Sequence, residues 1–136
     1  MLTVAVDHEE ARVPVAVMRL EGELDSATYL DVLAGARDLV AKGVGHILLD
    51  LERLDYMGSS GLFAIHSIAM LLGGKEPPDP ESGWGAIHQA DPKEDEAVDR
   101  LKLLSPQPQV TRVLERSGLT RYFKTYTDRA EALAAF

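Results

Sequence analysis

The stretch that decides the fold leads from a buried strand into a helix, and it reads Leu48-Leu49-Asp50-Leu51 and then Leu54-Asp55-Tyr56-Met57-Gly58-Ser59-Ser60-Gly61-Leu62. Residues 46–51 form an almost continuous apolar run, which is typical of a strand covered on both faces. Beyond it we expect a loop over residues 52–58 and a helix over residues 59–72. The helix should bury one stripe of residues, namely Leu62, Ile65, Ala69 and Leu72.

Two strands and a helix are predicted upstream of this stretch. Residues 2–6 alternate and are rich in β-branched side chains, and residues 13–20 follow after a polar loop, so the two should form a hairpin. A turn at residues 22–25 leads to a helix whose inner face carries four residues at helical spacing: Tyr29, Leu33, Ala36 and Val40. Thr28 with Asp31 resembles a capping box.

Four further elements are predicted after the stretch. Residues 101–104 should form a strand, and Pro108 suits the first turn of a helix that ends at Gly118. An edge strand at residues 122–126 and a short helix at residues 128–135 complete the pattern. Strands that alternate with helices require parallel neighbours, so the predicted fold class is α/β, with a mixed, mostly parallel sheet, an N-terminal hairpin and about four helices.

The composition limits the function classes. The chain has 136 residues, which suits a single domain over residues 1–136, and its net charge of −8 argues against nucleic acid and anionic membranes as main partners. Residues 73–100 hold eight acidic and three basic residues with several prolines, so we expect a flexible acidic insertion there. The chain has no cysteine, no recognisable signal peptide and no apolar run of membrane-spanning length, so we expect no membrane insertion and a cytoplasmic location.

Three stretches together resemble one known family. Residues 22–25 read Gly-Glu-Leu-Asp, residues 48–62 are the stretch quoted above, and residues 105–119 carry Ser-Pro, Pro-Gln-Val and Leu-Glu-Arg-Ser-Gly-Leu. In that order they are similar to the STAS domain (sulfate transporter and anti-sigma factor antagonist), of the anti-sigma factor antagonist type. The resemblance covers the chain except the insertion, and Ser-Ser-Gly-Leu at the start of a helix is its most specific part.

The resemblance implies a non-catalytic regulatory module, not an enzyme, with no cofactor and no metal. In this family the first serine of an Asp-Ser-Ser-Gly motif is phosphorylated, which corresponds here to Ser59, although position 58 is Gly58 instead of aspartate. The implied partners are a serine-kinase-type anti-sigma factor, which the unphosphorylated domain binds so that a sigma factor is freed, and a phosphatase that resets the switch. The implied partner-binding residues are Asp25, Met57, Gly58, Ser60, Gly61 and Leu62.

Considered without the family, Ser59 is open to two interpretations. A serine where a loop becomes a helix is commonly an N-cap, worth roughly 1 kcal/mol. It is alternatively a phosphate acceptor at the positive end of the helix dipole, in which case Ser60 is expected to cap. Gly58 is expected to supply a positive φ before the helix. The residues alone indicate that Asp25 is a turn and capping residue, whereas the resemblance implies that it is part of the partner-binding edge.

Other chemistry finds little support in the residues. A hydrolase elbow needs glycines two positions on either side of its serine, and Ser60 has Gly58 before it but Leu62 after it. His66 lies about 10 Å from Ser59 along the helix, too far for a base, and is expected to be a core or boundary residue. A stressosome-like scaffold, a cytoplasmic accessory subunit of a lipid or anion transporter, and a weak homodimer remain open as alternatives.

Overall fold

The centre of the molecule is a five-stranded sheet in the order β1-β2-β3-β4-β5, seen in a computed structural model that describes residues 1–77 and 99–136. The strands are β1 (Leu2–Glu10), β2 (Pro14–Leu24), β3 (Ile47–Met57), β4 (Leu101–Leu104) and β5 (Thr125–Tyr126). β1 and β2 form an antiparallel hairpin, and every later pair of neighbours is parallel. The predicted mixed, mostly parallel sheet with an N-terminal hairpin is therefore confirmed.

Four α-helices in the described residues accompany the strands. They are α1 (Tyr29–Ala41), α2 (Ser59–Leu72), α3 (Pro108–Ser117) and α4 (Arg129–Ala134), and a 3-10 turn at Leu119–Arg121 follows α3. Pro108 stands in the first turn of α3, and Gly118 ends this helix in a left-handed conformation with φ of 83°, as the sequence predicts. The predicted acidic insertion falls mostly on residues 78–98, which lie outside the described ranges.

β2 and β3 are longer than predicted. The sequence predicts a loop at residues 52–58, but β3 continues to Met57 and pairs with β2 as far as Leu24. Two register shifts interrupt this ladder, between Arg19 and Glu21 and between Gly22 and Glu23, and at each of them β3 contains one residue more than β2. Such irregularities break the simple alternation of buried and exposed residues, so the paired segment resembles a charged loop in the sequence. The extension carries the β3–α2 junction beyond the end of β4.

The core lies on both faces of the sheet. The larger cluster joins one face to α1, α2 and α3, and of the four stripe residues predicted on α2, three are buried and Leu62 is half-buried. The smaller cluster, between the other face and α4, contains five buried residues: Val15, Val17, Leu48, Leu104 and Ala132. Because Leu48 belongs to the smaller cluster and Ile47 and Leu49 to the larger one, β3 is covered on both faces, as predicted.

His46 precedes β3, at the end of that strand opposite to Ser59. Its ring packs edge to face on Phe136, with 5.7 Å between the ring centroids. Lys102 Nζ lies 5.0 Å from the centroid of the same Phe136 ring. Partial burial, and then the charges of Arg100 and Lys102, lower the pKa of His46 below its ordinary value of 6.5. The fold therefore favours the neutral imidazole.

Acidification is expected to weaken the fold through His46. Because the pKa of His46 is lower in the folded chain than in the unfolded chain, the unfolded chain takes up the extra proton first as the pH falls from about 7 to 5, and the free energy of unfolding decreases. His46→Gln removes the titrating group and should reduce this pH dependence. Urea unfolding midpoints across that pH range measure the effect, and an identical pH dependence in wild type and variant would contradict it.

Candidate functional site

Ser59 lies at the junction where β3 gives way to α2. β3 ends at Met57, Gly58 is the N-cap residue, and Ser59 is the first residue of the helix. The Gly58 N–H donates a hydrogen bond of 2.9 Å to the Leu24 carbonyl, and the Gly61 N–H donates one of 3.0 Å to the Gly58 carbonyl. The junction is therefore fixed to the end of β2 on one side and to the first turn of α2 on the other.

Two expectations about the conformation of this junction are wrong. Gly58 is the N-cap in place of Ser59, and no side chain caps the helix. Gly58 has φ of −92° and ψ of −174°, an extended conformation that any residue adopts, so the expected positive φ is also absent. The first N–H groups of α2 consequently have no side-chain partner from the cap residue, and neither Ser59 nor Ser60 serves as the cap.

The Ser59 side chain is exposed, whereas Ser60 is half-buried. Within the described ranges the Ser59 hydroxyl forms no hydrogen bond. The first turn of α2 contains no acidic residue, so no carboxylate of that turn offsets the positive end of the helix dipole. Helix N-termini stabilise phosphate groups through their N–H groups and dipole. The hydroxyl is thus exposed at the first position of α2, where the dipole is not offset by a carboxylate of the same turn.

Asp25 follows β2 and lies beside the junction. β2 and β3 are paired up to their last residues, so Asp25 and Gly58 follow the carboxyl ends of neighbouring strands at the same end of the sheet. The Asp25 carboxylate accepts hydrogen bonds from the N–H groups of Ala27, at 2.9 Å, and Thr28, at 3.1 Å. Asp25 is therefore a turn residue, as one of its two interpretations predicts, and it lies at the end of the sheet where partner binding is predicted.

Thr28 does not form the capping box predicted with Asp31. The Thr28 hydroxyl accepts a hydrogen bond of 3.0 Å from the Asp25 N–H and donates one of 2.7 Å to the Glu23 carbonyl, and α1 has no side-chain cap. The threonine stabilises the turn that precedes the helix instead. This turn holds Asp25 next to the end of β3.

Met57 and Gly61 form the buried base of the site. Met57 is 2% exposed and Gly61 is buried. A Cβ built on Gly61 would lie 2.5 Å from Met57 Cγ and 3.1 Å from Leu24 Cγ, so α2 rests closely on the ends of β2 and β3. The half-buried members of the predicted partner-binding set are Asp25, Gly58, Ser60 and Leu62.

Two glutamines that the sequence did not indicate hold the outer edge of β3. β4 pairs with β3 only as far as Asp50, so the later part of β3 has no strand on that side. The side-chain amide of Gln107 donates to the Glu52 carbonyl and that of Gln109 to the Asp55 carbonyl, each at 2.8 Å. Both glutamines lie at the start of α3. Their carbonyl partners are 55 and 54 residues away in the sequence, so no local pattern predicts these contacts.

Other reactive arrangements are not supported near Ser59. His66 is 6% exposed and belongs to the buried length of α2, as expected of a core or boundary residue. Within residues 1–77 and 99–136, no group of three or more His, Cys, Asp or Glu side chains could hold a metal ion. None of the helices in those ranges combines the length and the hydropathy needed to cross a membrane.

The chain matches a known family and known folds. The family model of the STAS domain matches residues 7–74, which is half of the chain. Among solved structures, an anti-sigma factor antagonist from Mycobacterium paratuberculosis is similar to this chain with a TM-score of 0.68 at 21% identity, covering 99% of this chain and 93% of that one. The fold and the family match thus point to the same group of proteins.

Two structures of the anti-sigma factor antagonist SpoIIAA also resemble this chain. Its unphosphorylated form has a TM-score of 0.64 at 26% identity, covering 94% of this chain and 92% of that one. The phosphorylated form of the Bacillus cell fate determinant SpoIIAA has a TM-score of 0.60 at 24% identity, covering 96% of each chain. The STAS model covers half of the chain and the solved structures share its fold, and the chain belongs to the STAS domain family.

Proposed function

We propose that this STAS domain, over residues 1–136, is a non-catalytic regulatory binding module of the anti-sigma factor antagonist type, switched by phosphorylation of Ser59. The observation that carries the proposal is the exposed Ser59 hydroxyl at the first position of α2, on a junction that backbone hydrogen bonds hold in place. Because the junction is fixed from both sides, it presents a defined surface to a partner. A modification of the hydroxyl changes that surface and leaves the backbone bonds intact.

In the proposed cycle, the unphosphorylated domain binds a serine-kinase-type anti-sigma factor and thereby frees a sigma factor in the cytoplasm. The kinase transfers the γ-phosphoryl group of ATP to Ser59 Oγ, and ADP and the hydroxyl proton are released. The transfer adds about −1.5 to −2 charges at neutral pH. The N-terminus of α2 stabilises this anion, so the fold persists. The charge and bulk break the complex, and a phosphatase restores the hydroxyl.

The proposed docking surface surrounds Ser59. Its half-buried members are Asp25, Gly58, Ser60 and Leu62, and its buried supports are Met57 and Gly61. The similarity of this chain to SpoIIAA in both the unphosphorylated and the phosphorylated form supports a switch that acts on the surface and leaves the fold in place.

Phosphate transfer to Ser59 is the expected result when the chain is incubated with ATP and each purified kinase-type anti-sigma factor of its source organism. The Ser59 side chain is exposed, so a single phosphate should be found there by tandem mass spectrometry. Ser59→Ala should abolish the transfer. Thr120→Ala, which removes an exposed hydroxyl outside the proposed docking surface, is the control and should retain it. Phosphate on Ser60 or Thr28, or no transfer by any of these kinases, would contradict the proposal.

A further inference from the structure

Tyr56 is an exposed aromatic residue at the edge of the proposed docking surface. It is 52% exposed and precedes Gly58 by two positions at the end of β3. The other exposed large apolar residues within the described ranges are Met1, Val6 and Leu30. Tyrosine is enriched among the residues that dominate interface energies, so an exposed tyrosine beside a docking surface is a candidate anchor.

The phenol of Tyr56 lies over the space beside Gly58. A Cβ built on Gly58 would lie 3.2 Å from the Tyr56 hydroxyl oxygen, 3.4 Å from Cε2 and 3.6 Å from Cζ. The first distance is slightly tighter than an ordinary contact, so a side chain at position 58 would shift the phenol by a few tenths of an ångström. The phenol therefore lies where a side chain at position 58 would begin, and residues 56 and 58 share one patch of surface.

The same arrangement decides the charge presented beside Ser59. The three heavy atoms nearest to the Cβ position of Gly58 all belong to Tyr56. The first turn of α2 has no acidic residue, and the Asp25 carboxylate is engaged by the N–H groups of its own turn. The group nearest to position 58 is therefore the Tyr56 phenol and not a carboxylate, and the exposed Asp55 precedes that tyrosine by one residue.

We propose that Tyr56 is a partner-selecting anchor: its ring enters an apolar pocket on the anti-sigma factor, and the glycine at position 58 leaves room for the bound ring. The inference rests on the proposed function and adds the chemistry of the partner. The partner surface that faces Ser59 holds a pocket for an aromatic ring and needs no cation opposite position 58. Such an interface selects through the fit of the ring and through the clash that a charged side chain at position 58 would cause.

The test measures binding of the unphosphorylated chain to the anti-sigma factor that phosphorylates it, by isothermal titration calorimetry. Tyr56→Ala is expected to raise the dissociation constant at least about 10-fold, and Tyr56→Phe, which keeps the ring, should change it less than about threefold. Val6→Ala is the matched control, because it shortens another exposed apolar side chain on the distant strand β1 and should leave binding unchanged. Tyr56 is exposed, so these variants should keep the fold.

The glycine is tested in the same assay. Gly58→Asp should raise the dissociation constant at least about 10-fold, because it adds a charge and a side chain where the partner's apolar pocket meets the phenol. Combined with Tyr56→Ala, it should cost less than the product of the two single effects, since residues in contact are not additive. The coupled loss distinguishes a shared site from two independent ones.

Two results would overturn the inference and leave the proposed function standing. One is wild-type affinity in Tyr56→Ala, and the other is single effects that multiply fully in the double variant. Failure of every anti-sigma factor to bind the wild-type chain would contradict the proposed function and, with it, the inference.

Discussion

Ser59→Asp is expected to bind the kinase-type anti-sigma factor about 100-fold more weakly than the wild type, a loss of roughly 2.7 kcal/mol. The new carboxylate would stand at the first position of α2, where the helix dipole accepts a negative charge, so the thermal midpoint should stay within about 2 °C. In the complex, the same carboxylate loses water without gaining a cation, which is costly. This variant should therefore bind the anti-sigma factor weakly while its fold stays as stable as that of the wild type.

Ser59→Asn is the matched control, because asparagine has nearly the shape of aspartate without its charge. It should weaken binding less than about tenfold. Titration calorimetry measures the affinities, and differential scanning calorimetry measures the thermal midpoints. Equal losses of affinity for Asp and Asn would show that bulk and not charge disrupts the complex, which would contradict the electrostatic part of the switch.

Gly61→Ala is expected to lower the free energy of unfolding by about 1 to 3 kcal/mol. The added methyl group would lie 2.5 Å from Met57 Cγ and 3.1 Å from Leu24 Cγ, and both of these side chains are buried. Alanine has up to about 1 kcal/mol more helix propensity than glycine, so a net loss of stability means that the overlap with Met57 and Leu24 outweighs this gain. The overlap should dominate, because Met57 and Leu24 are paired at the ends of β3 and β2 and have little room to yield.

Gly35→Ala in α1 is the control for helix propensity. Its Cβ would approach the terminal methyl group of Met18 at 2.9 Å, and the end of a methionine side chain moves easily. The higher helix propensity of alanine should then offset the cost of this contact, and the free energy of unfolding should change by less than about 1 kcal/mol. Urea denaturation compares the two variants. A Gly61→Ala protein as stable as Gly35→Ala would refute close packing of α2 on the strand ends as a constraint.

The order of the elements could be predicted because its signals are local. Pro108 and Gly118 mark the two ends of α3 in the sequence and in the structure. The extension of β3 to Met57 could not be predicted in this way, because it depends on pairing with β2 across register shifts. Exposed charged residues such as Glu52 and Arg53 conceal that pairing, since the same residues are typical of loops.

The candidate site was predicted in part. The sequence places Ser59 at the start of α2, and the structure confirms this. The N-cap interpretation of Ser59 is wrong, because Gly58, the residue before it, takes that position, and glycine and serine are both favoured at N-caps. Gln107 and Gln109 were missed because their carbonyl partners are 55 and 54 residues away. The relation of Tyr56 to its neighbour depends on the direction of a side chain, which no local pattern contains.

The glutamine contacts on β3 also bear on the solubility of the protein. A bare strand edge is a template on which another chain can add a strand, and this is a common route to aggregation. β3 runs from Leu51 to Met57 without cover from β4. Gln107 and Gln109 occupy two carbonyls of this segment with side chains that cannot continue a ladder. The part of the chain that leads to the proposed docking surface is thereby protected against pairing with copies of itself.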